Sequence, residues 1–191
     1  MKRRHFLALW SMLFVAPSWA KKPFLVTPSQ AEGPFYPVKP IPLRANLILH
    51  EQGLAGEPIE LSGRVLDERG HPLSGIRVEI WQCDGEGIYD HPQQPNHQVF
   101  DRHFAGCGAA VTKNNGEYRF RTIRPVPYGR RPPHIHVKLW RGVDELLTTQ
   151  LYLEGQTGNE RWGGRERQHL QFKVVKQRDV QIGEFDFVLT A

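Results

Sequence analysis

Pro132-Pro133-His134-Ile135-His136-Val137-Lys138-Leu139-Trp140 alternates apolar and polar residues with a period of two. That period marks a β-strand, whose successive side chains point to opposite faces. Ile135, Val137 and Leu139 then face a core, and His134 and His136 stand next to each other on the other side. Two imidazoles so placed can bind one metal ion. A pair of solvated strand histidines is the plainer explanation of the same spacing.

The period-two pattern continues on both sides of this stretch. Residues 59–66 read as a strand, followed by turn chemistry in Asp67-Glu68-Arg69-Gly70-His71-Pro72. Ile76, Val78 and Ile80 alternate with Arg77, Glu79 and Trp81, and Asn114-Asn115-Gly116 forms a hairpin-type turn before a strand over 117–123. Further strands are expected over 146–153, 170–176 and 181–189. Helical periods are short, so the expected class is all-β: a sandwich of about seven or more strands. The polar, irregular stretch 89–105 reads as a long functional loop. Seven prolines between residues 21 and 58 predict an extended arm that packs on the sandwich of residues 59–191.

Residues 1–20 read as a signal peptide. Lys2, Arg3 and Arg4 precede an apolar run from Phe6 to Val15, and Ser18-Trp19-Ala20 offers a cleavage site. The run is too short for a permanent membrane helix. Arg3-Arg4-His5-Phe6-Leu7 is similar to a twin-arginine signal, an ordinary Sec signal being the alternative; either predicts export to a bacterial periplasm, with no membrane span in the mature form. Loss of that leader takes the formal net charge from +5 to +2. No Lys or Arg block remains for nucleic acid, and Arg161, Arg165 and Arg167 alternate with Glu160 and Glu166 as a solvated face does. Cys83 and Cys107 are the only cysteines. In an oxidising compartment they are a candidate disulfide; buried thiols, or thiols near a metal, are the alternatives.

Tyr128 lies just upstream of the histidines and Tyr89 in a glycine-flanked loop. A phenol has a pKa near 10 in model peptides, so it binds a metal only when the cation is acidic enough to displace its proton. Fe(III) does so far better than Zn(II). No Asp or Glu accompanies the histidines as a two-histidine, one-carboxylate Fe(II) site requires. Taken singly, Tyr89 reads more readily as a loop aromatic and Tyr128 as a turn residue packing after Pro127.

Four motifs carry a family resemblance across residues 32–155: Glu32-Gly33-Pro34-Phe35-Tyr36; Val78-Glu79-Ile80-Trp81-Gln82-Cys83-Asp84 leading to Gly87-Ile88-Tyr89; Thr122-Ile123-Arg124-Pro125-Val126-Pro127-Tyr128; and Arg131-Pro132-Pro133-His134-Ile135-His136. Together they resemble the intradiol ring-cleavage dioxygenases, most nearly the iron-bearing subunit of protocatechuate 3,4-dioxygenase. The resemblance implies one non-haem Fe(III) per chain, held by Tyr89, Tyr128, His134 and His136. It implies a catechol-type substrate and O2, cleavage between the hydroxyl-bearing carbons, and a cis,cis-muconate product. Catalytic roles fall to Arg131, whose charge would stabilise a developing ring carbanion, to Gln150, which assists it, and to Tyr128, which would accept a substrate proton. Arg131 and Pro34 would contact the substrate. Homo- or hetero-oligomers also occur in such a family. Three departures stand out: only residues 129–133 separate Tyr128 from His134; Gln156-Thr157-Gly158-Asn159 replaces a Gly-Asp-Pro loop; and a long helical dimerisation region is missing from the sequence given.

Two other readings compete. Gly63-x-Val65-x-Asp67 with Gly116-x-Tyr118-x-Phe120 resembles transthyretin-like and carboxypeptidase-associated β domains that only bind partners, a pattern that specifies fold and not function. The same tyrosines and histidines could also hold Zn(II) in a hydrolase. His91, His97 and His103 are too loosely spaced for a second metal cluster and read as loop residues.

Overall fold

The computed structural model describes residues 24–156 and 164–190. The proposed leader, residues 1–20, lies outside them. Nine strands form: β1 (Pro58–Asp67), β2 (Arg77–Trp81), β3 (Cys107–Val111), β4 (Glu117–Ile123), β5 (His134–Arg141), β6 (Asp144–Leu153), β7 (Gln171–Gln177), β8 (Val180–Glu184) and β9 (Phe187–Leu189). The only helices among the described residues are two 3-10 turns, at His97–Val99 and Gly164–Leu170, and no helix is long and apolar enough to cross a membrane.

The strands make one mixed ladder in the order β3-β2-β5-β6-β7-β8-β1-β4, with β9 added alongside β1. It folds over at a narrow join, where β6 and β7 pair only through Tyr152↔Gln171 and Leu153↔Phe172. Alternating side chains from both halves then meet. Leu61, Val65 and Phe120 from one half share a single core with Val78, Ile80, Ile135, Val137, Leu139 and Leu151 from the other. The fold is an all-β sandwich, as the period-two pattern predicts.

One strand assignment needs correction, and one strand is not visible in the sequence pattern. The stretch 181–189 is two strands, because the ladder beside β1 breaks between them. The amide of Arg64 is satisfied by the Asp186 carboxylate at 2.7 Å instead of by backbone. The Phe185 carbonyl presses so close to Gly63 that a Cβ there would stand 1.8 Å away. Strand β3 carries no alternation in Cys107-Gly108-Ala109-Ala110-Val111, so its pattern was silent. Its pairing partner β2 and the overlying arm define it: a Cβ on Gly108 would meet the Arg44 carbonyl at 2.2 Å.

Residues 24–57 contain no named strand, yet they are stitched along their length to the sandwich. Thr27 N–H donates to Val188 O (2.9 Å), Gln30 N–H to Thr148 O (2.8 Å), Arg44 N–H to Ala109 O (2.9 Å) and Leu47 N–H to Arg121 O (2.8 Å). Leu47 and Ile48 enter the core. The arm therefore lies across the face of β5 that carries the histidines, and that face is not solvated: His134, His136 and Lys138 are all buried.

Candidate metal centre

Strand register builds the site. Trp81 of β2, His136 of β5 and Gln150 of β6 face one another across three adjacent strands, and His134 faces Tyr152. The Nε2 atoms of His134 and His136 stand 3.2 Å apart. Tyr89 is almost fully buried in the loop after β2, and its hydroxyl reaches His134 Nε2 at 3.4 Å. Tyr128 is half-buried; its ring stands edge-on to Tyr89, with centroids 5.2 Å apart, and 6.1 Å from the ring of His134. The structure thus brings Tyr89, His134 and His136 into mutual contact and sets the Tyr128 ring beside them.

Protonation follows from the bonding. His134 Nδ1 lies 2.6 Å from the Pro132 carbonyl, which can only accept, so Nδ1 carries the hydrogen and Nε2 presents a lone pair. Burial pushes the pKa of His134 down to about 4 and holds that of His136 well below the ordinary imidazole value, so both are neutral near pH 7. Burial likewise raises Tyr89 well above a free phenol; it raises Tyr128 too, against the lowering effect of the Arg131 charge.

These groups satisfy a metal better than they satisfy one another. If His136 Nε2–H donates to His134, His136 Nδ1 becomes an acceptor, and that buried atom has no partner among the described residues. If His136 carries its hydrogen on Nδ1, two lone pairs confront each other. Either state leaves a buried polar group unmatched, at about 1–3 kcal/mol. A cation held by both Nε2 atoms would remove the clash of lone pairs and leave only the His136 Nδ1–H unmatched. Clusters of three or more His, Cys, Asp or Glu suited to a metal do not occur among the described residues, so a metal here relies on the phenols.

Arg131 and Tyr128 are joined by a tight turn in which Arg131 N–H donates to Tyr128 O at 2.8 Å. The Arg131 guanidinium donates to Gln150 Oε1, which also accepts from Tyr152 at 3.2 Å, while Gln150 Nε2 donates to Ala31 O of the arm at 2.7 Å. Arg131 and Gln150 are thereby brought together. Pro34 is exposed in a turn of the arm. Its neighbour Phe35, which carries no sequence signal of its own, packs against Tyr89 at 4.9 Å and Tyr128 at 5.8 Å. A cavity of about 320 Å³ opens between Phe35, Val38 and Cys107, but neither Arg131 nor Gln150 lines it.

Further residues around the site escaped the sequence reading. Glu79 and Lys138 lie in strand interiors on the histidine face, buried and paired. Lys138 binds Glu32 of the arm and Glu145; their charges outweigh burial and keep its pKa raised. Tyr36 donates to Glu79 at 2.9 Å, and burial together with that bond raises its phenol, keeping it protonated. The readable signal was a charge in the middle of two neighbouring strands.

The candidate disulfide is not formed: Cys83 and Cys107 are both free thiols. Cys107 faces Trp81 across the ladder, two residues short of Cys83, and the Cys83 thiol points to the Val126 carbonyl at 3.9 Å. Burial pushes the Cys83 thiol up to about 12. His91, His97 and His103 are dispersed: His91 is buried beside Phe35, His97 sits on the 3-10 turn, and His103 binds Asp101 at 2.8 Å.

Comparison with known proteins gives this geometry a family. Residues 31–132 match the model of a dioxygenase family described as "Dioxygenase". The beta chain of protocatechuate 3,4-dioxygenase from Burkholderia cepacia is 40% identical over 108 residues, which is 52% of this chain and 46% of that one. Catechol 1,2-dioxygenase from Acinetobacter baylyi is 31% identical over 149 residues, 68% of this chain and 47% of that one. The dioxygenase domain of a carbohydrate-binding fusion protein from Streptomyces sp. SirexAA-E superposes with a TM-score of 0.70 at 32% identity, covering 87% of this chain and 99% of that one. An intradiol dioxygenase from Tetranychus urticae, 20% identical, shares the fold with a TM-score of 0.69 over 87% of this chain and 95% of its own. The chain belongs to the intradiol ring-cleavage dioxygenase family. It spans about half the length of the curated relatives it matches.

Proposed function

We propose that this protein is a non-haem Fe(III) intradiol dioxygenase, opening a catechol-type ring between its hydroxyl-bearing carbons with O2 to give a cis,cis-muconate. The observation that carries the reading is the convergence of Tyr89 Oη, His134 Nε2 and His136 Nε2 within 3.4 Å contacts, with Tyr128 alongside. Those four residues would hold one Fe(III) per chain. Two phenolates and two neutral imidazoles suit a hard trivalent ion and leave little net charge to bury. When bound, ferric iron withdraws electron density from a catecholate and opens the ring to attack by O2.

The protein's own residues supply the rest. Tyr128, the less buried phenol, would be the one to take up a substrate hydroxyl proton. Arg131, tethered by Gln150 at the rim beside Tyr128, presents a fixed positive charge to the reacting ring and stabilises negative charge developing there. Phe35 of the arm packs on both tyrosines, and we assign its neighbour Pro34 to the substrate side. The relatives named for protocatechuate and for catechol support a monocyclic catechol such as protocatechuate. The basic start, apolar run and small-residue site of residues 1–20 support export by a twin-arginine or Sec route to a periplasm.

The test is a single preparation read in two ways. Purified protein loaded with Fe(III) should be red-brown from phenolate-to-iron charge transfer, and it should consume O2 with protocatechuate or catechol while a muconate appears in the ultraviolet. A protein that folds but takes up no iron, or that turns over substrate without O2, would return it to the binding-module or hydrolase readings.

A further inference from the structure

His134 and His136 are aimed at one point by different means. His134 is fastened through Nδ1 to the Pro132 carbonyl, the usual way a ligating imidazole is oriented. His136 Nδ1 is buried and has no hydrogen-bond partner among the described residues. The χ2 torsion of histidine is broad, so the plane of this ring is set by what it lies on. That is the indole of Trp81, stacked at 4.8 Å with planes 11° apart.

Trp81 stands in the same situation one step further out. Its Nε1 is also buried without a partner among the described residues, so packing alone orients it. The ring of Tyr36 meets it edge-on at 5.0 Å, with planes 85° apart. Tyr36 is where the series becomes anchored: its hydroxyl donates to Glu79 Oε2 at 2.9 Å. Glu79 is itself fixed by Trp140 Nε1 at 2.8 Å and Arg77 Nε at 2.7 Å.

We infer that Tyr36 and Glu79 are positioning residues for His136, acting through Trp81 in place of the carbonyl or carboxylate that orients most ligating imidazoles. The inference rests on His136 being an iron ligand. Neither Tyr36 nor Glu79 touches the centre; together they fix the tilt of the indole, and the indole fixes the imidazole plane. The arm thereby becomes part of the metal site, since Tyr36 reaches this network only when residues 32–36 are seated.

The experiment compares full-length, iron-loaded wild type with Tyr36→Phe, Tyr36→Leu, Glu79→Ala and a control, Leu61→Val, in the core of β1. Chelator-driven iron loss, the charge-transfer band and the unfolding temperature are recorded for each. Tyr36→Leu and Glu79→Ala should speed iron loss about ten- to hundred-fold and shift the band. Tyr36→Phe, which keeps the ring edge but loses the hydrogen bond, should fall between. Leu61→Val should lower the unfolding temperature with no change in band or iron loss. If wild type holds iron and Tyr36→Leu behaves as Leu61→Val does, the positioning role is wrong. If wild type binds no iron, the ligand reading itself falls and takes this inference with it, so the two failures are separate. Should Glu79→Ala not fold, the two Tyr36 variants decide the matter.

Discussion

The backbone of Gly33 lies against the edge of the His136 imidazole: a Cβ built on Gly33 would stand 3.2 Å from His136 Cε1. Gly33 also adopts a φ of +80°, a region that side chains other than glycine rarely enter. Both constraints act on one residue of the arm where it crosses the metal site. Gly33→Ala should therefore destabilise the protein by about 1–3 kcal/mol and loosen the arm over His136. Urea unfolding gives the first quantity, and iron retention in the folded variant gives the second. An alanine variant as stable as wild type, with unchanged iron retention, would show that the arm is not seated on the imidazole.

Arg131 acts on the reacting ring and not on the metal, so its removal should separate two properties that a ligand mutation changes together. Arg131→Ala should keep iron and colour while turnover falls about 10²- to 10³-fold, the range for loss of one charge-stabilising donor. Iron content by elemental analysis and O2 uptake under saturating catechol make the comparison. Replacement of either histidine should instead lower the iron content itself.

The two cysteines should report their surroundings directly. Unfolded, unreduced protein should yield two thiols to a colorimetric thiol reagent. In the folded state Cys107, partly exposed, should react well before Cys83, which is buried and whose thiol is pushed up to about 12. A mass 2 Da lighter than the reduced chain, with no reactive thiol after unfolding, would mean the pair is oxidised after all.

Asp101 gives the long loop a defined acid sensitivity. Burial pushes its carboxyl up, but hydrogen bonds from the amides of His103 and Ala55 and from the His103 ring outweigh this and hold it below 3.8. A carboxyl depressed in the folded state contributes stability that is complete above the unfolded pKa and lost as pH falls through the folded one. Wild type should therefore lose stability below about pH 4, and Asp101→Asn, less stable at neutral pH, should lose less over that window. Parallel acid-unfolding curves for the two would remove Asp101 from this account.

Legibility in the sequence followed the physics of each element. Strands β1, β2, β4, β5, β6 and β7 alternate because one of their faces fills a common core, and alternation is what periodicity detects. Strand β3 was silent because its residues are small where the arm crosses it, and its place depends on partners distant in sequence. Tyr89, Tyr128, His134 and His136 were legible through the family resemblance of the motifs that hold them; taken singly, each had a plainer structural explanation. Phe35, Trp81, Tyr36 and Glu79 were not: an aromatic ring or a glutamate in a strand looks the same whether it packs idly or braces an imidazole. Only the register Trp81↔His136 shows which.

The companions of β1 come from far along the chain: residues 60–62 lie parallel to 182–184, and residues 65–67 to 187–189. During synthesis that flank of β1 stays bare until more than a hundred further residues have left the ribosome. Half of the molecule, including the Val188 contact that anchors the first described turns of the arm, can close only then. Such distant closure favours slow maturation and leaves an adhesive edge in the nascent chain. Production at low temperature, or with a holdase chaperone present, should raise the yield of material able to take up metal.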